Sequence, residues 1–202
     1  MEDERSCVAQ ALQGNQRAFA QLVDRYQTPV YNLCYRMLGN APEAEDAAQE
    51  TFVRVYRHLA KYDAKQKLSS WVLAIASHYC IDRLRRRRFT WLSLEDVLPA
   101  PVQNHDMVRP EETALDNESS AEVRDLMQEL PPDYRLVITL RYWQDLSYAK
   151  IAQVVGTTES AVKSRLHRAR RMMAQQILSQ GKLESLPCPV PQGKRVTDNA
   201  VL

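Results

Sequence analysis

The stretch Leu146-Ser-Tyr-Ala-Lys-Ile-Ala-Gln-Val-Val-Gly156-Thr-Thr-Glu-Ser-Ala-Val-Lys-Ser-Arg-Leu-His-Arg-Ala-Arg-Arg-Met-Met173 decides how this chain is read. Ser147 has the side chain of a helix N-cap, and a short helix from it reaches Val155 with Ile151, Ala152 and Val155 facing inward. Gly156-Thr157-Thr158 makes a tight turn. Thr158 can then cap a second helix whose Val162, Leu166, Ala169 and Met173 share one face. Two short helices joined by a three-residue turn with glycine are a helix-turn-helix. In such a unit the second helix enters the DNA major groove and offers its exposed N-terminal residues to base edges. The outward face here holds Ser160, Lys163, Ser164, His167, Arg168 and Arg171. Long donors suit the acceptors on guanine, and small hydroxyls let the backbone come close. Arg168, Arg170 and Arg171, further along, suit phosphates, which position a helix without reading sequence. An ordinary basic surface helix is the plain alternative. Turn, cap, stripe and basic face agree in register, which favours DNA.

Working outward, the rest of the chain is also helical in pattern. Phe19, Leu22, Val23 and Tyr26 repeat at i, i+3, i+4, i+7, as do Val30, Leu33, Cys34 and Met37. Pro29 between them predicts a break or kink, and Gly39 a stop. Asn40-Ala-Pro-Glu43 reads as a capping box for a helix that buries Ala48, Phe52, Val55, Tyr56 and Leu59. After a polar loop, Lys61 to Lys67, Ser69 is placed as the next N-cap, with Leu68 and Leu73 as a hydrophobic staple. That helix turns Val72, Ile75, Ala76 and Tyr79 inward and ends in Arg85-Arg86-Arg87-Arg88, more cations than a helix dipole needs. Pro99, Pro101 and Pro110 mark a linker, with a short amphipathic turn at Trp91, Leu92, Leu94 and Val97. Helical pattern resumes at Val123, Leu126, Met127 and Leu130. Pro131-Pro132 separates it from a helix carrying Leu136, Val137 and Leu140.

The expected fold is therefore all-α: two small helical domains joined by an acidic, Pro-containing linker. The first covers residues 1–90, the linker 91–119, the second 120–180, and 181–202 is expected to be a disordered tail. The net charge of +2 hides a strong segregation: −2 over 1–60, +6 over 61–88, −9 over 89–133 and +7 over 134–182. Two basic blocks around an acidic one imply two polyanion-binding surfaces. In the first block, Arg85 to Arg88 form a compact electrostatic patch. Trp71, Tyr79 and Phe89 could stack on unpaired bases, although aromatics at helical spacing are by themselves more often core.

Other classes fit poorly. Cys7, Cys34, Cys80 and Cys188 form no C-x-x-C pair, and Cys34 and Cys80 sit where a small buried hydrophobe is expected. His58, His78, His105 and His167 share no ligand spacing, and no H-E-x-x-H, Walker A loop or G-x-S-x-G elbow occurs. No metal, cofactor or enzymatic activity is expected. No apolar run approaches the ~20 residues of a membrane span, and the acidic start is unlike a secretory signal. A cytoplasmic location is the default.

Taken together the segments resemble the extracytoplasmic-function (ECF) σ factors of the σ70 family. Asp46-Ala-Ala-Gln-Glu-Thr-Phe-Val-Arg-Val-Tyr56 looks like the family's region 2.2. Trp71-Val-Leu-Ala-Ile-Ala-Ser-His-Tyr-Cys-Ile-Asp-Arg-Leu-Arg-Arg86 looks like regions 2.3 and 2.4. Leu130-Pro-Pro, with the helix-turn-helix to Arg170, looks like region 4. The resemblance spans about residues 15 to 178. It implies that the chain binds core RNA polymerase, at the β′ clamp and the β subunit, and directs initiation at promoters.

By that resemblance Asp46, Gln49, Glu50, Arg54 and Arg57 would dock on the clamp, a role that composition alone would not give to a charged helix face. Lys61, Lys65, Lys67, Trp71, His78, Arg83, Arg85 and Arg86 would melt the −10 element and hold the displaced single strand. Ser160, Lys163, Ser164, His167, Arg168 and Arg171 would read the −35 duplex. An anti-σ partner is implied as well. Leu68 stands where the family often has Phe, and Ser77-His78 where Arg-Asn is usual; His78 is either a base contact or a packed residue. The competing reading is a stand-alone helix-turn-helix regulator, which would need a dimerising or ligand-sensing first domain.

Overall fold

Asn15 starts a 23-residue helix in the N-terminal half. Its side-chain oxygen accepts from the N–H groups of Arg17 and Ala18, at 3.0 and 3.2 Å. A computed structural model of the chain describes residues 2–94 and 114–179, and the side chains within 4–87 and 122–179. Its helices are α1 (Glu2–Leu12), α2 (Gln16–Leu38), α3 (Ala41–His58), α4 (Leu68–Leu94), α5 (Ala114–Glu129), α6 (Pro132–Tyr142), α7 (Tyr148–Val155) and α8 (Glu159–Ser179), with a 3₁₀ turn at Leu59–Lys61. No strand occurs among the described residues, so the all-α expectation holds.

The first four helices form one bundle. α2 is a single helix through Pro29 and not two: the apolar runs on either side of the proline continue one stripe, and Val30, Leu33, Cys34 and Met37 are fully buried in the core. Burial along that stripe outweighs the one ladder bond a proline removes. Gly39 ends α2 in the left-handed conformation (φ 87°), its N–H donating to Tyr35 O at 2.8 Å. The Asn40 side chain accepts from the Glu43 N–H at 2.9 Å and starts α3. Only half of the expected capping box forms, because the Glu43 carboxylate faces Arg83 and Arg87 of α4.

α3 is rotated from the expected face. Ala44, Ala47, Thr51 and Val55 are buried, whereas Ala48 and Phe52 are half-buried and Tyr56 is 52% exposed. Thr51 removes its cost of burial by donating to Ala47 O at 2.7 Å. Small residues at 44 and 47 let α3 lie close against its neighbours, a reason invisible to a search for large apolar side chains. α1 was not foreseen; Cys7, Val8 and Ala11 anchor it, and Tyr26 of α2 hydrogen-bonds Glu4. The Tyr26 hydroxyl is held far above its ordinary range by burial and by that carboxylate.

Leu68 begins α4, one residue before the expected Ser69 cap, and is buried in the core. α4 then runs on to Leu94, beyond the arginines and through most of the predicted separate turn. Val97, the rest of the predicted linker to residue 113, Cys188 and the expected tail lie outside the described residues. α5 already begins at Ala114, before the predicted linker end. Cys34 and Cys80 are both fully buried and face each other. The Cys80 thiol is pushed well up by its hydrogen bond with Cys34 and by burial, so it stays neutral and unreactive.

The last four helices form the second bundle. Pro131 and Pro132 separate α5 from α6, as the pattern predicts. α6 is unusual: Arg135, Leu136, Val137, Ile138, Thr139 and Leu140 are all buried. A helix buried on every side has neighbours on every side. α7 and α8 cover one side of α6, and α2 and α4 cover another. The core is thereby continuous across both bundles.

Candidate nucleic-acid interface

The helix-turn-helix forms as its sequence dictates. Ser147 Oγ accepts from the Lys150 N–H at 3.4 Å, and Gly156 closes α7 in the left-handed conformation (φ 70°), its N–H bonded to Ala152 O. Thr158 Oγ1 accepts from the Ala161 N–H at 3.2 Å and caps α8. Val162, Leu166 and Ala169 are buried; Met173 is half-buried. On α7 the third buried residue is Val154 and not Val155, because the short helix packs on both α4 and α8. Ser160, Lys163, Ser164, His167, Arg168 and Arg171 are all exposed on α8. None of these cations makes an ion pair among the described residues. Donors of this kind, on a rigid helix and open to solvent, can enter a groove without first breaking protein contacts.

The basic region of the first bundle divides in two. Lys61, Lys65 and Lys67 are exposed around the loop after the 3₁₀ turn, where Asp63 accepts from the Lys65 N–H at 2.9 Å. Tyr62 packs on Trp71 (ring centroids 5.3 Å apart) and its hydroxyl donates to Gln66 O. Trp71 is thus half-buried, with part of its ring left at the surface. His78 is exposed on α4, which removes the packed-residue reading; Ser77 beside it is buried. Arg85 and Arg86 are exposed.

Arg83 and Arg87 point the other way. Arg83 lies 3.5 Å from Glu43 and 3.9 Å from Asp46, donates to the Tyr79 hydroxyl at 3.2 Å, and is only 30% exposed. Arg87 pairs with Glu43, and burial lowers its pKa. Of the four-arginine run, Arg87 is thus tied to α3 while Arg85 and Arg86 stay exposed. One turn of α4 puts part of it against α3 and part in solvent; the side chain of Arg88 is outside the described residues.

The α3 surface joins charge to apolar area. Asp46, Gln49 and Arg57 are exposed, and Glu50 and Arg54 pair at 2.8 Å. The Arg54 guanidinium also lies 4.6 Å over the Tyr79 ring, which fixes it. Between these residues stand Val53 and Tyr56, 43% and 52% exposed, with Tyr56 propped edge-on against Phe19. Sequence reasoning missed both by counting Tyr56 as core. The signal was available, since Gln49, Val53 and Tyr56 fall at i, i+4, i+7.

No group of His, Cys, Asp and Glu suited to a metal occurs among the described residues, and no described helix is long and apolar enough to cross a membrane. The profile of Sigma-70 region 2 matches residues 22–90, and that of Sigma-70, region 4 matches residues 120–173. The ECF RNA polymerase sigma factor SigW of Bacillus subtilis is 36% identical over 176 residues, covering 84% of this chain and 94% of SigW. Among solved structures, CnrH in complex with the cytosolic domain of CnrY is 26% identical. That match has a TM-score of 0.64 and covers 88% of this chain and 98% of CnrH. The sigma factor RpoE from Bartonella quintana, solved with the anti-sigma factor NepR, shares the fold at 20% identity and a TM-score of 0.64, covering 83% of this chain and 98% of RpoE. These likenesses favour the σ-factor reading over the stand-alone regulator. The chain belongs to the extracytoplasmic-function σ factors of the σ70 family, the subunits that direct RNA polymerase to promoters.

Proposed function

We propose that this σ factor divides its work among three surfaces. α3 docks on core polymerase through Asp46, Gln49, Glu50, Arg54 and Arg57 around an apolar centre of Val53 and Tyr56. The 61–67 loop and α4 hold the melted −10 strand through Lys61, Lys65, Lys67, Trp71, His78, Arg85 and Arg86. α8 reads the −35 duplex, with Ser160, Lys163, Ser164 and His167 at base edges and Arg168 and Arg171 on phosphates. Arg83 acts here as a positioning residue that ties α4 to α3, and Leu68, in the core, as packing.

The observation that carries this reading is the mixed surface of α3. Exposed Val53 and Tyr56 ringed by charges suit a protein partner, since interfaces combine an apolar centre with a polar rim. A duplex would call for cations there, and α3 has carboxylates. The chain contributes binding and strand separation, with no catalysis of its own, and works in the cytoplasm with the polymerase. An anti-σ partner is in keeping with the relative solved with one.

Purified chain added to core polymerase should give run-off transcripts from defined starts on genomic fragments. Val53→Asp should lower affinity for core polymerase at least tenfold while leaving the helical circular dichroism unchanged. Unaltered affinity would show that the dock lies elsewhere.

A further inference from the structure

α8 carries one acidic side chain, and it stands at the end that enters a groove. After Glu159 the charged residues of the helix are Lys163, Arg165, Arg168, Arg170 and Arg171, all cations. Glu159 is exposed, four residues before Lys163 and eight before His167, which puts it on the outward face with them. The backbone around it is fixed on both sides. Gly156 turns the chain in the left-handed conformation, the Thr157 N–H donates to Ala152 O at 2.9 Å, and the Val162 N–H donates to Thr158 O at 3.0 Å. The side chain itself has no hydrogen bond or ion pair among the described residues. It does not close a capping box, because Thr158 is the cap and the third helical position, where the box needs an acid, is Ala161. The helix dipole favours an acid in this turn, but no described contact holds it.

We propose that Glu159 is a specificity-determining residue of the −35 reading face and selects a cytosine. The inference rests on the proposed role of α8 in reading the duplex. Phosphates repel a carboxylate on every sequence alike, so Glu159 lowers affinity for DNA in general. In the major groove it finds a hydrogen-bond donor only on cytosine N4 or adenine N6. Guanine and thymine present acceptors there, and adenine sets its N7 acceptor beside the amine. Cytosine alone offers the amine with no acceptor on the same base edge. The carboxylate therefore penalises the other three bases, while its bond to the amine offsets the repulsion at cytosine. Lys163 has donors and no acceptor, which suits guanine and leaves cytosine unread; Glu159 adds the complementary reading. The two residues lie about 6 Å apart along the helix axis, nearly two base-pair steps of about 3.4 Å, so they reach different pairs.

The test uses holoenzyme, assembled from core polymerase and the full chain, on a promoter located by run-off transcription. Each −35 base pair is replaced in turn by the other three, and the duplexes compete for binding. Wild type should prefer cytosine at one position by roughly fivefold or more, the low end for a base contact. Glu159→Ala should level the four bases there and bind the duplexes lacking that cytosine more tightly than wild type does. Glu159→Gln should move the preference to adenine, whose N6 and N7 suit the acceptor and donor of an amide. Neither variant should change affinity for core polymerase. Identical base preferences in wild type and both variants would overturn the proposal. So would an equal loss on every sequence, the mark of a residue that only supports the fold. A change confined to the position that Lys163→Ala alters would overturn it too, by showing that Glu159 acts through Lys163. Indifference of wild type to every −35 base would instead count against the reading face of α8 as a whole, and Glu159 would fall with it.

Discussion

The α7–α8 unit and the α3–α4 corner carry similar stretches of basic helix, yet only one presents its cations as a set. On α8 the outward residues face solvent and make no ion pairs among the described residues. On α4, Arg83 and Arg87 turn to Glu43 and Asp46, leaving Arg85 and Arg86 outside. The difference is what stands opposite. α8 packs its inner stripe on α6 and α7 with no described element packed across its outer face, whereas α4 passes beside the N-terminal turn of α3. Helical periodicity says which residues share a face, and only the tertiary neighbour says whether that face is free.

The largest expected effects test whether the two regions rest on equivalent cores. Leu166 of α8 and Leu68 of α4 are 2% and 1% exposed. Leu166→Ala and Leu68→Ala should each cost about 2–5 kcal/mol in urea unfolding, from lost transfer energy and the cavity left behind. A Leu166→Ala cost below about 1 kcal/mol would mean that the helix-turn-helix repacks freely and that its reading face is not rigid. Next come Lys163→Ala and His167→Ala. Each should change base preference at one −35 position by about 1–3 kcal/mol in competition binding, with the melting temperature unmoved. A matching fall in stability would show that these residues are structural, like their counterparts on α4.

Much of this contrast can be read in the sequence, and its failures have physical causes. Ser147, Gly156, Thr158 and the Val162–Leu166–Ala169 stripe act within a few residues of one another, so local chemistry determines them. Asn40 and Gly39 are legible for the same reason. Of the break or kink that Pro29 predicts, the break does not occur, because a local breaker is overridden by burial on both sides of it. α3 misleads because its contact face is made of alanines, and close approach leaves no large-residue signal. Arg135 could not be found at all: nothing near it in sequence announces that the carbonyl of Met37, ninety-eight residues away, completes its hydrogen bonding. Of the candidate site residues, those on α8 came together as read. Those on α4 were divided by contacts that lie forty residues apart.

Glu43 is where that division can be undone. Its carboxylate is 21% exposed and serves both Arg83 and Arg87. Glu43→Gln keeps shape and cap while removing the charge, and should lower stability by about 1 kcal/mol, a hydrogen-bonded ion pair of this exposure being worth little more. A double-mutant cycle with Arg87→Met should return a coupling of the same order. Zero coupling would release Arg87 from its structural role.

The smallest effect separates the cations one by one. Arg85→Ala should leave stability within about 0.5 kcal/mol, as exposed substitutions do, and reduce the slope of log affinity against log salt on −10 DNA by about 1. Arg83→Ala should do the opposite: the salt slope holds, and the melting temperature falls because Glu43, Asp46 and the Tyr79 hydroxyl lose a shared donor. Two arginines two positions apart on α4 would then act on different observables. If both change the slope alike, Arg83 must swing away from α3 when DNA arrives, and the corner between α3 and α4 would be a moving part of strand capture instead of its fixed frame.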